Sequence, residues 1–256
     1  MRWLPALVSI LLLATTPLTA STSYEVTLRG KPFTLEVYPA SNPKAPKGTI
    51  FMNSGDAGWI GLGVELAEDL SKDGYTVVGI NVRRYLSMFR TDTSHLTTAD
   101  VPRDYAAMAR YLTDQHVLTP PVIIAGVSEG AALGVLAASA PANHTWINGV
   151  ITLGLPRTAE LAWRWMDAMS FITKKDCDEP SFEPAAFVRG VAPIPLLMIQ
   201  SRNDEFVPER DFRMFEQIPS SPKQLVLIDA SNHRFTDRRP ELKSQIRAGL
   251  AWIEGR

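Results

Sequence analysis

The chain has 256 residues, one cysteine, four histidines and a formal net charge of −1. That balance supplies no global field to draw in nucleic acid or an anionic membrane, so no nucleic-acid partner is expected. A hydrophobic content of 45% and a charged content of 21% are ordinary for a globular protein, and the length suits one α/β domain with a large buried core.

The first twenty residues stand apart from the rest. Arg2 is followed by an apolar run from Leu4 to Ala14, and small and polar residues close the stretch at Thr19-Ala20-Ser21. This layout reads as a secretory signal peptide (residues 1–20) cut near Ala20 or Ser21, which makes the mature chain periplasmic or secreted. The run is short for a transmembrane helix, and an uncleaved anchor is the blander alternative. With no cysteine near the cut, a lipid anchor is not expected. Cys177 has no partner for an intramolecular disulfide, and its acidic neighbours Asp176, Asp178 and Glu179 disfavour a thiolate; its role stays open.

Residues 21–256 alternate strand-like and helix-like segments. Polar-apolar alternation in Tyr24–Leu28 and Phe33–Tyr38 predicts an antiparallel hairpin turned at Gly30-Lys31. Gly48–Met52, Thr76–Val82, Val122–Gly126, Gly149–Leu153, Pro195–Gln200 and Gln224–Ile228 are nearly all apolar, as strands buried on both faces of a parallel sheet should be. Between them lie helices with one apolar stripe: Leu62, Leu66 and Leu70 before Gly74, then Val101, Tyr105, Met108 and Leu112. A third stripe is Leu242, Ile246, Leu250 and Ile253. The order predicts a doubly wound, mostly parallel sheet with an antiparallel N-terminal hairpin. Residues 157–191 break the rhythm with aromatic, charged and proline residues. Two readings stand there: a cap or lid over the strand ends, or a helix on the sheet plus a surface loop.

Gly126-Val127-Ser128-Glu129-Gly130 follows the strand from Val122 and opens an alanine-rich helix, which is the setting of a nucleophile elbow. A strand turning sharply into a helix brings backbone segments together, so glycines on both sides of Ser128 relieve the crowding. The blander reading is a tight turn with an inert serine. A serine nucleophile needs a base, and the base an orienting acid. His116 ends a helix, His95 lies in a polar loop and His144 follows a Pro-Ala-Asn turn, whereas His233 comes just past the end of a strand. That edge of a wound sheet is where ligands bind. The acid is read as Asp204, ahead of Glu205 and Asp229, because an apolar pair and Pro208 follow it; a helix-capping role is the alternative. The order Ser128, Asp204, His233 is the one expected of an α/β-hydrolase fold. Backbone N–H groups of Glu129 and of Asp56 or Ala57 are the expected oxyanion hole. No residue set has metal-ligand spacing, and no cofactor is expected.

Ser54-Gly55-Asp56-Ala57-Gly58-Trp59, Arg84-Tyr85, Arg90-Thr91, Gly126 to Ala131 and Leu153-Gly154-Leu155 together resemble the AcvB and VirJ family of bacterial virulence proteins. The resemblance spans roughly Gly48 to Leu155. It implies an exported α/β-hydrolase-type protein that releases the amino acid from aminoacylated (lysyl-)phosphatidylglycerol by ester hydrolysis, and so leaves peripheral membrane contact open. Glu129 departs from the apolar or aromatic residue that the family usually carries after the serine. An acid there could favour a cationic substrate group or point into solvent. Arg83, Arg84 and Arg90 are candidates to hold a phosphate, or else a solvated rim. Asn143-His144-Thr145 matches a glycosylation sequon. A non-catalytic periplasmic binding or chaperone module and a general carboxylesterase are the competing readings. Neither oligomeric state nor acyl group is legible.

Overall fold

The computed structural model describes residues 21–91, 94–163 and 179–256. The expected leader at 1–20 and Cys177 lie outside the described residues. Strands β1 (Thr22–Leu28) and β2 (Lys31–Tyr38) form the hairpin, turned at Arg29-Gly30, one position earlier than expected. Then come β3 (Thr49–Asn53), α1 (Leu62–Lys72), β4 (Thr76–Ile80), α2 (Val82–Met88) and α3 (Asp100–Asp114). The second half holds β5 (Val122–Val127), α4 (Glu129–Ala138), a 3-10 turn at Pro141–Thr145, β6 (Gly149–Leu153), and the short β7 (Ala159–Glu160) and β8 (Ser181–Phe182). It ends with α5 (Ala185–Val191), β9 (Leu196–Ser201), α6 (Glu209–Glu216), β10 (Lys223–Ile228) and α7 (Arg239–Glu254).

Eight strands make one sheet in the order β1-β2-β4-β3-β5-β6-β9-β10. β1, β2 and β4 pair antiparallel, and β4, β3, β5, β6, β9 and β10 run parallel. Two apolar cores lie on its two faces. One gathers Phe51, Ile124, Val150 and Met198 with Tyr105 of α3 and Leu133 of α4; the other gathers Ile50, Ile123, Ile151 and Leu197 with Leu66 of α1 and Leu250 of α7. Alternate residues of each central strand therefore feed opposite cores, which is why these runs carry almost no polar residue.

Two local differences matter for the site. The strand expected over Thr76–Val82 ends at Ile80, because the Asn81 side chain accepts the N–H of Arg84 and caps a helix. Arg83 and Arg84 therefore sit on α2. Within 157–191, β7 and β8 form a two-stranded antiparallel ribbon and α5 packs into the core beside α4. The stretch between the ribbon strands, where a lid would lie, includes residues 164–178, outside the described residues.

The order of the sheet reverses between β3 and β5: the chain proceeds outward to β4 on one side and to β6 on the other. A crevice at the carboxyl ends of the strands opens at such a switch point.

Candidate active site

Both strands beside the switch point deliver a turn to it. β5 runs into Ser128, whose φ of 53° and ψ of −121° lie outside the regions open to ordinary L-residues. The neighbours hold it there. Ser128 donates its N–H to the Leu153 carbonyl at 2.9 Å, and its own carbonyl accepts the N–H of Ala131 at 2.8 Å. A Cβ on Gly126 would collide with the backbone of Gly130, and one on Gly130 with the Ser54 carbonyl. The glycines flanking the serine are thus required by close backbone approach, as the motif implied.

β3 delivers the second turn. Asn53, fully buried at its end, donates Nδ2 to the Gly130 carbonyl at 3.0 Å and accepts the Tyr105 hydroxyl at 2.9 Å. The start of α4 is thereby tied to β3 and α3. Ser54 accepts the N–H of Val82 through Oγ at 3.0 Å, and Trp59 lies so close to Gly79 of β4 that no side chain could stand there. Its indole N–H donates to the Tyr38 hydroxyl at 3.2 Å. The tryptophan of the Ser-Gly-Asp-x-Gly-Trp stretch is therefore an anchor that pins the loop to the sheet. A Cβ on Gly55 would fall 3.7 Å from that of Ser128, so the loop meets the elbow at Gly55-Asp56. The N–H groups of Asp56 and Ala57 make no backbone hydrogen bond in this loop, which meets the elbow beside them.

The third and fourth contributions come from the loops after β9 and β10. His233 Nδ1 lies 2.6 Å from Asp204 Oδ2, and both residues are buried. Asp204 Oδ1 accepts the N–H groups of Phe206 and Val207 at 2.9 and 2.8 Å, and Oδ2 also accepts Gln200 Nε2 at 2.8 Å. Asp204 therefore meets the imidazole with one oxygen and ties its own loop with the other, and it does not cap α6, whose N-cap Pro208 receives no side-chain bond. Burial opposes the charge on Asp204, but the bond to His233, its charge and the two loop N–H groups outweigh it and hold the carboxyl below its ordinary range. Burial likewise opposes protonation of His233. The Asp204 bond and charge, with the charges of Glu129 and Glu205, nevertheless push the imidazole above its ordinary value. Phe206, half exposed, meets the imidazole edge-on at 5.5 Å.

The rivals separate cleanly. Glu205 accepts the backbone N–H of His233 at 2.7 Å, and Asp229 pairs at the surface with Arg202. His95, His116 and His144 lie elsewhere: His144 meets the Ala138 carbonyl at 3.0 Å, and His116 has φ 58° just past α3.

Glu129, the first residue of α4, turns its carboxylate toward the Ser128 hydroxyl and the N–H of its own residue. Burial and the nearby Asp56 raise its pKa, against the pull of Ser128 and His233. Ser128 Oγ and His233 Nε2 make no hydrogen bond with each other in this structure, and in free enzymes such contacts commonly tighten only with substrate bound.

The arginines divide. Arg90 directs Nε to both oxygens of the buried Glu179 carboxylate at 3.0 Å, an ion pair that its reading as a phosphate ligand did not foresee. Arg83 packs on the Trp163 ring at 5.1 Å and lines Gly58 of the loop after β3, whereas Arg84 is exposed. Among the described residues no group of three or more His, Cys, Asp or Glu side chains is disposed to hold a metal ion. Nor is any helix there long and apolar enough to cross a membrane.

Gln200, and the place of Gly154 beside the histidine, escaped the sequence reading. A glutamine near the end of an otherwise apolar strand was the available signal for the first, and a glycine just past a strand for the second.

Known proteins share this fold. The esterase domain of a Rhodothermus marinus protein superposes with a TM-score of 0.62 at 17% identity, covering 91% of this chain and 97% of that one. XC6422 from Xanthomonas campestris, described as an α/β serine hydrolase without lid, gives 0.57 at 19%, covering 91% and 94%. A membrane phospholipase A, described as a bacterial virulence factor, gives 0.68 at 11%, covering 93% and 88%. At such identities the likeness establishes the α/β-hydrolase fold. No curated protein sequence matches the chain. The family described as bacterial virulence protein (VirJ) matches residues 48–165, the stretch that holds the loop after β3, the turn at Ser128 and β6. That stretch is similar to the VirJ family, and it is carried on an α/β-hydrolase fold.

Proposed function

We propose that this protein is an exported serine hydrolase that cleaves esters, and that its substrate is the aminoacyl ester of an aminoacylated phosphatidylglycerol. The observation that carries the hydrolase reading is the buried 2.6 Å contact between His233 Nδ1 and Asp204 Oδ2, beside a serine held at φ 53° on the switch-point edge. An inert serine in a turn would have no reason to bear that strain. The fold relatives that include an esterase domain and a phospholipase agree with ester chemistry. The lipid substrate rests on the similarity of residues 48–165 to the VirJ family.

In this reading His233 Nε2 takes the proton of Ser128 as Oγ attacks the ester carbonyl carbon. The oxyanion is held by the N–H groups of Glu129 and of Asp56 or Ala57. On collapse the ester C–O bond breaks and the leaving alkoxide takes the proton from the imidazolium. Water, deprotonated by His233, then attacks the acyl-enzyme, and the acid leaves as Ser128 recovers its proton. Asp204 keeps Nδ1 protonated and stabilises the imidazolium throughout.

A fluorophosphonate probe tests the reading. It should label the wild-type protein at Ser128 and leave Ser128→Ala unlabelled. Hydrolysis of lysyl-phosphatidylglycerol in mixed micelles should exceed that of short p-nitrophenyl esters; the reverse order makes the protein a general carboxylesterase. A second reading, a binding module on a hydrolase scaffold, draws on the Ser128 hydroxyl facing Glu129 rather than His233. A folded protein inert to the probe favours it.

A further inference from the structure

The His233–Asp204 pair is bounded by two buried residues that belong to neighbouring strand ends. Gln200, fully buried near the end of β9, donates Nε2 to Asp204 Oδ2 at 2.8 Å and to the Val207 carbonyl at 2.9 Å. Oδ2 is the same oxygen that meets His233 Nδ1. The other end of the amide, Oε1, is buried with no hydrogen-bond partner in the structure. A flipped amide would set Oε1 against the carboxylate and the Val207 carbonyl, three acceptors together, so the donor end is the one that fits. A core position chosen for stability alone would not keep a half-satisfied amide.

Gly154, one residue past β6, bounds the pair from another side. A Cβ there would lie 2.5 Å from His233 Cε1, 2.9 Å from Nδ1 and 3.5 Å from Asp204 Oδ2. Its φ is +62°, and its N–H is bound to the Ile199 carbonyl at 3.0 Å, so the backbone has no room to retreat. The residue before it, Leu153, accepts the N–H of Ser128. One short segment thus supports the elbow and the imidazole together.

We propose that Gln200 and Gly154 are positioning residues for proton transfer: Gln200 fixes and partly neutralises Asp204 Oδ2 from within β9, and Gly154 supplies the bare backbone against which the imidazole rests. This rests on the serine-hydrolase reading. A donor on Oδ2 stabilises the carboxylate by itself and so leaves less of that oxygen's basicity for the imidazolium. The charged groups facing His233 are Asp204 and Glu205 from the loop after β9 and Glu129 from the start of α4. Gln200 is the neutral counterweight to them.

The test is the pH profile of kcat/KM on a short ester, with the wild type, Gln200→Met, Gln200→Glu and Gly154→Ala. Gln200→Met should move the acid limb to higher pH and lower kcat about tenfold, and Gln200→Glu should move the limb further the same way. Gly154→Ala, checked for folding by circular dichroism, should lower kcat roughly 100-fold with KM little changed, since a displaced base costs rate rather than binding. A wild-type acid limb and kcat in folded Gln200→Met overturns the role of Gln200, and wild-type kcat in folded Gly154→Ala overturns that of Gly154. Activity that survives Ser128→Ala sinks the hydrolase reading itself, and this inference with it.

Discussion

Glu205 accepts the backbone N–H of His233 at 2.7 Å, while Asp204, one residue earlier, holds the ring of the same histidine at 2.6 Å. Two adjacent carboxylates in one loop grip one residue at two points. The loop after β10 is fixed by its main chain, and the imidazole by its side chain.

That division predicts unequal losses. Asp204→Asn removes the charge that supports the imidazolium and offers a donor to Nδ1, so kcat should fall about 10⁴-fold. Glu205→Gln keeps an acceptor for the main-chain N–H and should cost no more than about tenfold. Steady-state kinetics on a short ester decide it, and equal losses would contradict the assignment.

The pH dependence follows from the same charges. His233 accepts a proton only when neutral, and its pKa is raised, so kcat/KM should fall on acidification through a value above the roughly 6.5 of a free imidazole. Glu129→Gln withdraws one of the anions that raise it, so the acid limb should move to lower pH. An acid limb that stays put in this variant would mean that the Glu129 charge does not reach His233.

Strain at the elbow has a stability signature. Ser128→Gly removes the cost of a side chain at φ 53° while adding chain entropy to the unfolded state. The net gain should be about 1 kcal/mol, or roughly 2–4 °C in Tm for a domain of this size, with activity abolished. Gly130→Ala should act oppositely, losing about 3 kcal/mol as its methyl meets the Ser54 carbonyl. Thermal melts of the two variants give both signs.

The arginines should separate in the same assay. Arg90→Ala takes a cation from the buried Glu179 carboxylate and should cost about 2–3 kcal/mol. Arg84→Ala, on an exposed face of α2, should change stability by less than about 0.5 kcal/mol. Should Arg84 hold a lipid phosphate, its loss would raise KM for aminoacyl-phosphatidylglycerol without touching short esters.

Much of the fold was legible because local chemistry and tertiary position agreed. The apolar runs at β3, β5, β6 and β9 can be nothing but doubly covered strands, and the glycines around Ser128 announce a turn that only a bare backbone can make. The end of β4 was misjudged by two residues because Val82 is as apolar in a buried helix as in a strand, and Asn81 capped the helix first. Arg90 looked uncommitted because its partner, Glu179, is 89 residues away.

By itself the sequence determined the alternation of strand and helix, the strained turn at residue 128 and the order of serine, acid and histidine. These depend on side-chain shape and on neighbours within a few positions. Tertiary structure alone decided which of two adjacent acids takes the ring and which the main chain. It also set Gly154, just past β6, against the imidazole that the loop after β10 delivers. Each of these is a contact between loops from different strands, whose meeting is set by the order of strands in the sheet and leaves no periodic trace along the chain.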